Sequence, residues 1–70
     1  MRATHTGRVA AFDEPRGLGE IEAADGTRFG FHCTAIADGT RRIALGAPVS
    51  FEVVVGPLGG AEATAIRPAG

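Results

Sequence analysis

The chain of 70 residues has no tryptophan, no tyrosine and no lysine, and it contains a single cysteine. One cysteine excludes an internal disulfide, and Cys33 with His5 and His32 matches no zinc finger or ribbon, so we predict no metal site and no cofactor. No apolar run reaches the length of a membrane-spanning helix, and no signal-peptide pattern is present. We therefore expect a cytoplasmic protein with no membrane contact, stabilised by a hydrophobic core alone.

Size and charge set further limits on function. Seventy residues, 44% of them hydrophobic, suffice for one small domain, which we place at residues 1–70. The formal net charge is −1 and the isoelectric point is about 6.0. Affinity for phosphate comes largely from clustered Lys and Arg, so this net charge predicts no strong general attraction to nucleic acid. It is compatible with binding through a local stripe of arginines.

Short alternating apolar segments separated by turn residues predict an all-β domain. We expect strands at residues 4–12, 18–23, 28–32, 49–55 and 62–67, with a tight hairpin at Asp25 and Gly26. Five short strands without a helical stripe favour a small antiparallel five-stranded β-barrel of the OB type, because closure removes exposed strand edges. The apolar residues expected to point inward are Val9, Ile21, Phe29, Phe31, Ile36, Val49, Phe51 and Ile66.

The order of several short motifs along the chain is more specific than any of them alone. The motifs are TGRV at residues 6–9, Phe12, RGLG at 16–19, DG at 25–26, HCTAI at 32–36, VSFE at 49–52 and EATAIRP at 62–68. In this order and spacing they resemble the bacterial cold-shock proteins, over nearly the whole chain. The resemblance implies a five-stranded OB-fold barrel that contacts single-stranded RNA or DNA.

Most of the aromatic residues with which that family stacks bases are replaced here. The positions concerned are Ala11, Leu18, Glu20, Gly30, Cys33 and Thr40. Stacking contributes roughly 1–3 kcal/mol per base, so the loss of even four such residues removes about 4 kcal/mol, close to a thousandfold in affinity. We therefore expect weak binding, which Glu20 weakens further because a carboxylate repels phosphate.

The candidate nucleic-acid-binding residues carry a positive charge or an aromatic ring, or occupy a position at which the resemblance implies contact with a base. They are Arg8, Phe12, Arg16, Leu18, Arg28 and His32. Strict alternation puts Arg8, Ala10 and Phe12 on one face of the first strand, whereas the resemblance places Ala11 on the binding surface. Both hold only if a bulge or bend lies between Val9 and Phe12.

A second interpretation stays open, in which the barrel meets a protein partner instead. Its apolar anchors are Phe12, Leu18, Val54 or Leu58, and its specificity charges are Glu20 and Glu22. The adjacent Arg41 and Arg42 suit either partner, and the sequence does not indicate an oligomeric state.

The remaining polar residues do not form a catalytic pattern. No nucleophile and base at a suitable spacing accompany Asp13, Glu14, Glu20 and Glu22. The glycines at positions 17 and 19 precede no helix, so they do not form a phosphate-binding loop. We therefore predict no catalytic residues and no enzymatic activity, and Cys33 is interpreted as a small apolar filler.

Overall fold

Five strands close into one barrel in a computed structural model that describes residues 4–37, 43–56 and 59–69. The strands are β1 (Thr4–Asp13), β2 (Leu18–Ala23), β3 (Arg28–His32), β4 (Pro48–Val55) and β5 (Ala61–Pro68), and a 3₁₀ helix spans Cys33–Ala35. Each observed strand coincides with a predicted one or extends it by one residue at one end or, in β5, at both ends. The predicted all-β barrel is therefore confirmed. None of the described residues forms a helix of the length and hydrophobicity needed to span a membrane.

The strands follow the order β1-β2-β3-β5-β4 around the barrel. Every neighbouring pair is antiparallel except β3 and β5, which pair in parallel where Gly30 lies opposite Glu62. A ring of five strands cannot alternate in direction throughout, because five is an odd number. The one closing contact is consequently parallel, and a parallel bridge between Ile36 and Ile66 lies beside it.

The hydrophobic core fills the inside of the barrel. Phe51, Ile21, Ile66, Val9 and Val49 are its largest fully buried side chains. All the residues predicted to point inward are buried, apart from Phe29, which is partly buried and packs against the core. Cys33 is also buried, which confirms that it fills core space.

The predicted bulge in β1 lies at Ala10. Val9 pairs with Ile21 and Ala11 pairs with Glu20, which leaves Ala10 without a partner of its own in β2. The extra residue shifts the alternation, so Ala11 is exposed while Phe12 is half-buried against the core. Strict alternation, which grouped Phe12 with Arg8, is wrong beyond the bulge.

Two predicted connections are described only in part. The connection between the strands predicted at 28–32 and 49–55, and that between the strands predicted at 49–55 and 62–67, include segments outside the described residues. Thr40, Arg41, Arg42 and Leu58 fall in those segments.

A second bulge, in β5, contains the one described non-glycine residue with positive φ. Ser50 pairs with Arg67 and Glu52 pairs with Thr64, so Ala65 and Ile66 together lie opposite Phe51. Ala65 adopts φ of 51°, a left-handed conformation that glycine adopts more easily than alanine. Ala65 therefore carries a side chain at a position where the backbone conformation favours glycine.

We expect Ala65→Gly to raise the free energy of unfolding by about 0.5–1 kcal/mol, because the cost of the left-handed conformation exceeds the extra backbone entropy of glycine. The matched control is Ala61→Gly in the same strand, where φ is not positive and the substitution should lower stability. Urea unfolding followed by far-UV circular dichroism measures both, since the chain lacks tryptophan and tyrosine. Equal destabilisation by the two substitutions would contradict this account of the bulge.

The loop between β2 and β3 is organised by Asp25 and Gly26. Gly26 adopts φ of 90°, and its N–H donates to the carbonyl oxygen of Ala23 at 2.9 Å. The Thr27 N–H donates to Oδ1 of Asp25 at 2.9 Å. This backbone hydrogen bond, followed by one from the Thr27 side chain, lowers the pKa of Asp25 from its ordinary value of 3.8.

The lowered pKa predicts an acid-dependent contribution of Asp25 to stability. Ionised Asp25 is favoured in the folded state, so its contribution is fully present above pH 3.8 and is lost as the pH falls through the lower folded pKa. We expect Asp25→Asn to destabilise the protein at neutral pH and to differ less from the natural protein in acid. Urea unfolding at neutral pH and near pH 3 tests this, and a difference independent of pH would contradict it.

Candidate nucleic-acid interface

The outer surface of β1, β2 and β3, called the outer face below, arranges its side chains in rows across the strands. The strand register gives the rows Arg8, Glu22, Arg28; then Ala11, Glu20, Gly30, continuing to Glu62 of β5; then Asp13, Leu18, His32. Arg16 lies in the turn between β1 and β2, next to the third row. The fold thus brings the predicted site residues together on one side of the barrel, with the exception of Phe12.

Phe12 lies beneath the outer face rather than on it. Its ring stacks on that of Phe31, with centroids 5.8 Å apart and an interplanar angle of 5°. Offset stacking of this kind adds roughly 0.5–1.5 kcal/mol to the burial of the rings. Phe12 therefore packs beneath the outer face against Phe31. Less of its ring is accessible to a ligand than in a fully exposed aromatic residue.

The arginines of the outer face differ in how far carboxylates neutralise them. In Arg28, Nη1 lies 3.3 Å from Oε1 of Glu20 and Nε lies 3.9 Å from Oε2 of Glu22. In Arg16, Nε lies 3.6 Å from Oδ2 of Asp13. Such exposed pairs contribute little to stability, about 0–1 kcal/mol, but a phosphate must compete with them. Arg8 has no ion pair among the described residues, which makes it the most available cation of the set.

His32 ends β3 and also caps the 3₁₀ helix. The backbone N–H of Thr34 donates to Nδ1 of His32 at 3.2 Å, and Oγ1 of Thr34 lies 3.0 Å from the same nitrogen. Because Nδ1 accepts the backbone hydrogen bond, the neutral imidazole carries its proton on Nε2. The ring is exposed, so it offers a ligand one flat surface and one N–H donor.

An open groove of about 410 Å³ runs over Gly30. It is lined by Leu18, Gly19, Gly30, Phe31, His32 and Glu62. A Cβ built on Gly30 would meet only the carbonyl oxygen of Gly19, at 3.9 Å, so the missing side chain leaves free space. A Cβ on Gly19 would lie 2.5 Å from Cζ of Phe31, so that glycine is required by close packing.

Cys33 and Leu18, at which the resemblance implies aromatic residues, differ in how far they are exposed. Cys33 occupies a family platform position but is buried beneath Gly17, where an added Cβ would approach Sγ to 2.8 Å. Leu18 keeps 48% of its surface exposed and is the one large apolar side chain of the outer face among the described residues. The exposed platform is thus reduced to Leu18 and His32.

Glu62 is the site residue that sequence reasoning missed. It stands in the last strand, far along the chain from the other candidates, and nothing in its local pattern distinguishes it from an outward-facing strand residue. Only the pairing of β5 with β3 brings it beside Gly30.

Comparison with known families agrees with this geometry. Residues 5–69 match the model of a family described as the "'Cold-shock' DNA-binding domain". The chain belongs to the cold-shock domain family. The predicted resemblance is therefore confirmed, and with it the general role of the chain as a nucleic-acid-binding module, since the family is described as DNA-binding. Within the parts of this cold-shock domain that the structure describes, no three His, Cys, Asp or Glu side chains are grouped so as to hold a metal ion.

Gly19 of β2 and Gly30 of β3 should respond differently to substitution. We expect Gly30→Phe to leave stability within about 0.5 kcal/mol, because the new side chain enters free space over the outer face. Gly19→Ala should cost about 1–3 kcal/mol, because its Cβ overlaps the Phe31 ring. Denaturant unfolding of both variants tests the geometry, and equal losses would show that the groove is not open.

Proposed function

We propose that this cold-shock domain binds single-stranded RNA or DNA through its outer face, with lower affinity than an aromatic platform provides. The observation that carries the proposal is that Leu18 and His32 line the groove over Gly30, while Arg8 and Arg28 lie in another row of the same outer face. A nucleobase in the groove contacts Leu18 and the His32 ring, and the arginines approach the phosphates. Phe31, supported by Phe12, forms part of the groove wall.

The charges of the outer face set the strength of this binding. Glu20 and Glu22 form ion pairs with Arg28. A phosphate that binds Arg28 must displace these carboxylates, so the net gain in binding free energy from this contact is small. At most three phosphates meet an arginine, counting Arg8, Arg16 and Arg28. Each contact with a single strand contributes about −0.7 to the slope of log affinity against log salt, so the slope should be about −2. Affinity should then fall roughly 20-fold between about 50 and 200 mM salt.

Fluorescence anisotropy of a fluorescein-labelled oligothymidine at two salt concentrations tests the proposal. Removing one outer-face group, by Arg8→Ala, Arg16→Ala or His32→Ala, should weaken binding about 3- to 10-fold. The matched control is Arg67→Ala, which removes an exposed arginine opposite Ser50 of β4, outside the outer face. Unchanged affinity in all three outer-face variants would show that the oligonucleotide binds elsewhere.

Charge reversal of Glu20 gives the sharpest test of the electrostatic argument. Glu20→Lys removes one carboxylate from Arg28 and adds a cation in the middle row, so it should strengthen oligonucleotide binding by about 10-fold and steepen the salt dependence. Glu52→Lys on β4 makes the same charge change off the outer face and should have a much smaller effect. Equal effects of the two would mean that only net charge matters.

A protein partner is the second candidate function, favoured by one observation. Carboxylates outnumber arginines along the rows of the outer face, and the exposed Leu18 lies among them. In this case Glu20→Lys should weaken a partner instead of strengthening an oligonucleotide. Immobilised protein incubated with lysate, with and without nuclease, separates the two candidates, since a directly bound protein stays after nucleic acid is digested.

A further inference from the structure

We propose that Glu62 makes the groove over Gly30 selective for guanine, so that this domain prefers single strands containing guanine to strands of uracil or thymine. The inference rests on the proposed function, because it names the base that the groove accepts. It concerns a residue that lies outside β1, β2 and β3 and that reaches the groove only through closure of the barrel.

The position of the Glu62 carboxyl group is the first step. Glu62 pairs with Gly30 on β3 and with Val54 on β4, and it lines the groove. A Cβ on Gly56 would overlap the Glu62 carboxyl group, so the absence of a side chain at Gly56 gives that group its place. Glu62 thus lines the groove over Gly30 while its carboxyl group lies at the groove's edge, beside Gly56.

The hydrogen-bonding state of Glu62 is the second step. The side chain is half-buried, and no described residue donates a hydrogen bond or forms an ion pair with it. By contrast, Glu20 and Glu22 of the outer face are paired with Arg28. Glu62 therefore presents acceptor oxygens with no donor among the described residues, at the edge of a largely apolar groove, and it gains most from a ligand that donates.

The chemistry of the bases is the third step. A carboxylate has two acceptor oxygens and no donor, and it binds best to two parallel N–H groups. Guanine is the one standard base with two adjacent donors on its Watson–Crick edge, N1–H and N2–H₂. Uracil and thymine carry one donor between two carbonyl oxygens, which the carboxylate repels. Adenine and cytosine offer a single amino group beside an acceptor nitrogen.

His32 offers a hydrogen-bond donor, whereas Glu62 offers acceptors, and guanine can bind both. Its Nδ1 is occupied by the Thr34 N–H, so Nε2–H is the donor available to a ligand. Guanine carries acceptors at O6 and N7 in addition to its paired donors. The groove thus offers a donor and an acceptor-only group, and guanine can use both kinds.

Replacement of guanine by inosine isolates the inferred interaction, because inosine lacks only the N2 amino group. Short fluorescein-labelled oligothymidines carrying one central guanine, inosine or thymine are titrated with the natural protein and followed by anisotropy. We expect the guanine strand to bind about 10-fold more tightly than the inosine strand, as the loss of one hydrogen bond to a charged group predicts. The thymine strand should bind no better than the inosine strand.

Glu62→Gln tests whether this residue is responsible. Glutamine keeps the shape but accepts through one oxygen only, so the guanine-to-inosine ratio should fall to about 3 or less. Glu52→Gln removes the same charge on β4, outside the groove, and should leave the ratio unchanged. Far-UV circular dichroism establishes that both variants are folded.

The outcomes separate the inference from the proposed function. Binding of all three strands with equal affinity, or an unchanged ratio in Glu62→Gln, would overturn guanine selection while leaving the outer face as a nucleic-acid site. Absence of binding to every strand at high protein concentration would overturn both. A guanine preference that disappears in Glu62→Gln and persists in Glu52→Gln supports the assignment.

Discussion

Closure of the barrel depends on a short parallel contact between β3 and β5, because a ring of five strands cannot be antiparallel throughout. The contact is held by the pairing of Gly30 with Glu62, by the bridge between Ile36 and Ile66, and by the Ala37 N–H, which donates to the Ile66 carbonyl oxygen at 2.7 Å. Ile36 and Ile66 are both buried, so the hydrophobic core and the closing contact support each other. The same contact brings β5 to the edge of the outer face.

The outer face combines a well-packed scaffold with a surface that carries few aromatic side chains. Phe12 and Phe31 remain stacked beneath it, and Gly19 allows the close approach that this packing needs. Above them, glycine and glutamate replace aromatic residues, and the arginines are largely balanced by carboxylates. In the binding mode that we propose, hydrogen bonds and a few phosphate contacts supply the affinity that stacking does not. Interactions of that kind are directional, and they favour selectivity over strength.

Particular residues show how far the sequence could predict this arrangement. Strand alternation identified Ile21, Phe29 and Phe31 as inward-facing because the period of two survives through β2 and β3. It failed at Phe12, because the bulge at Ala10 inserts a residue and reverses the alternation beyond it. The ion pairs of Arg28 were equally out of reach, since they depend on the register between β2 and β3 and on side-chain conformation.

The sequence by itself determined the all-β fold, the strand positions, the buried residues and the resemblance to cold-shock domains, because these follow from local periodicity, turn residues and the order of motifs. Only the tertiary structure decided which arginines are neutralised, which atom of His32 is free, and that Glu62 borders the groove. Each of these depends on contacts between residues distant in the chain. Glu62 reaches Gly30 for the physical reason that five strands must close with one parallel pair, and no local pattern in the sequence specifies the partner at that junction.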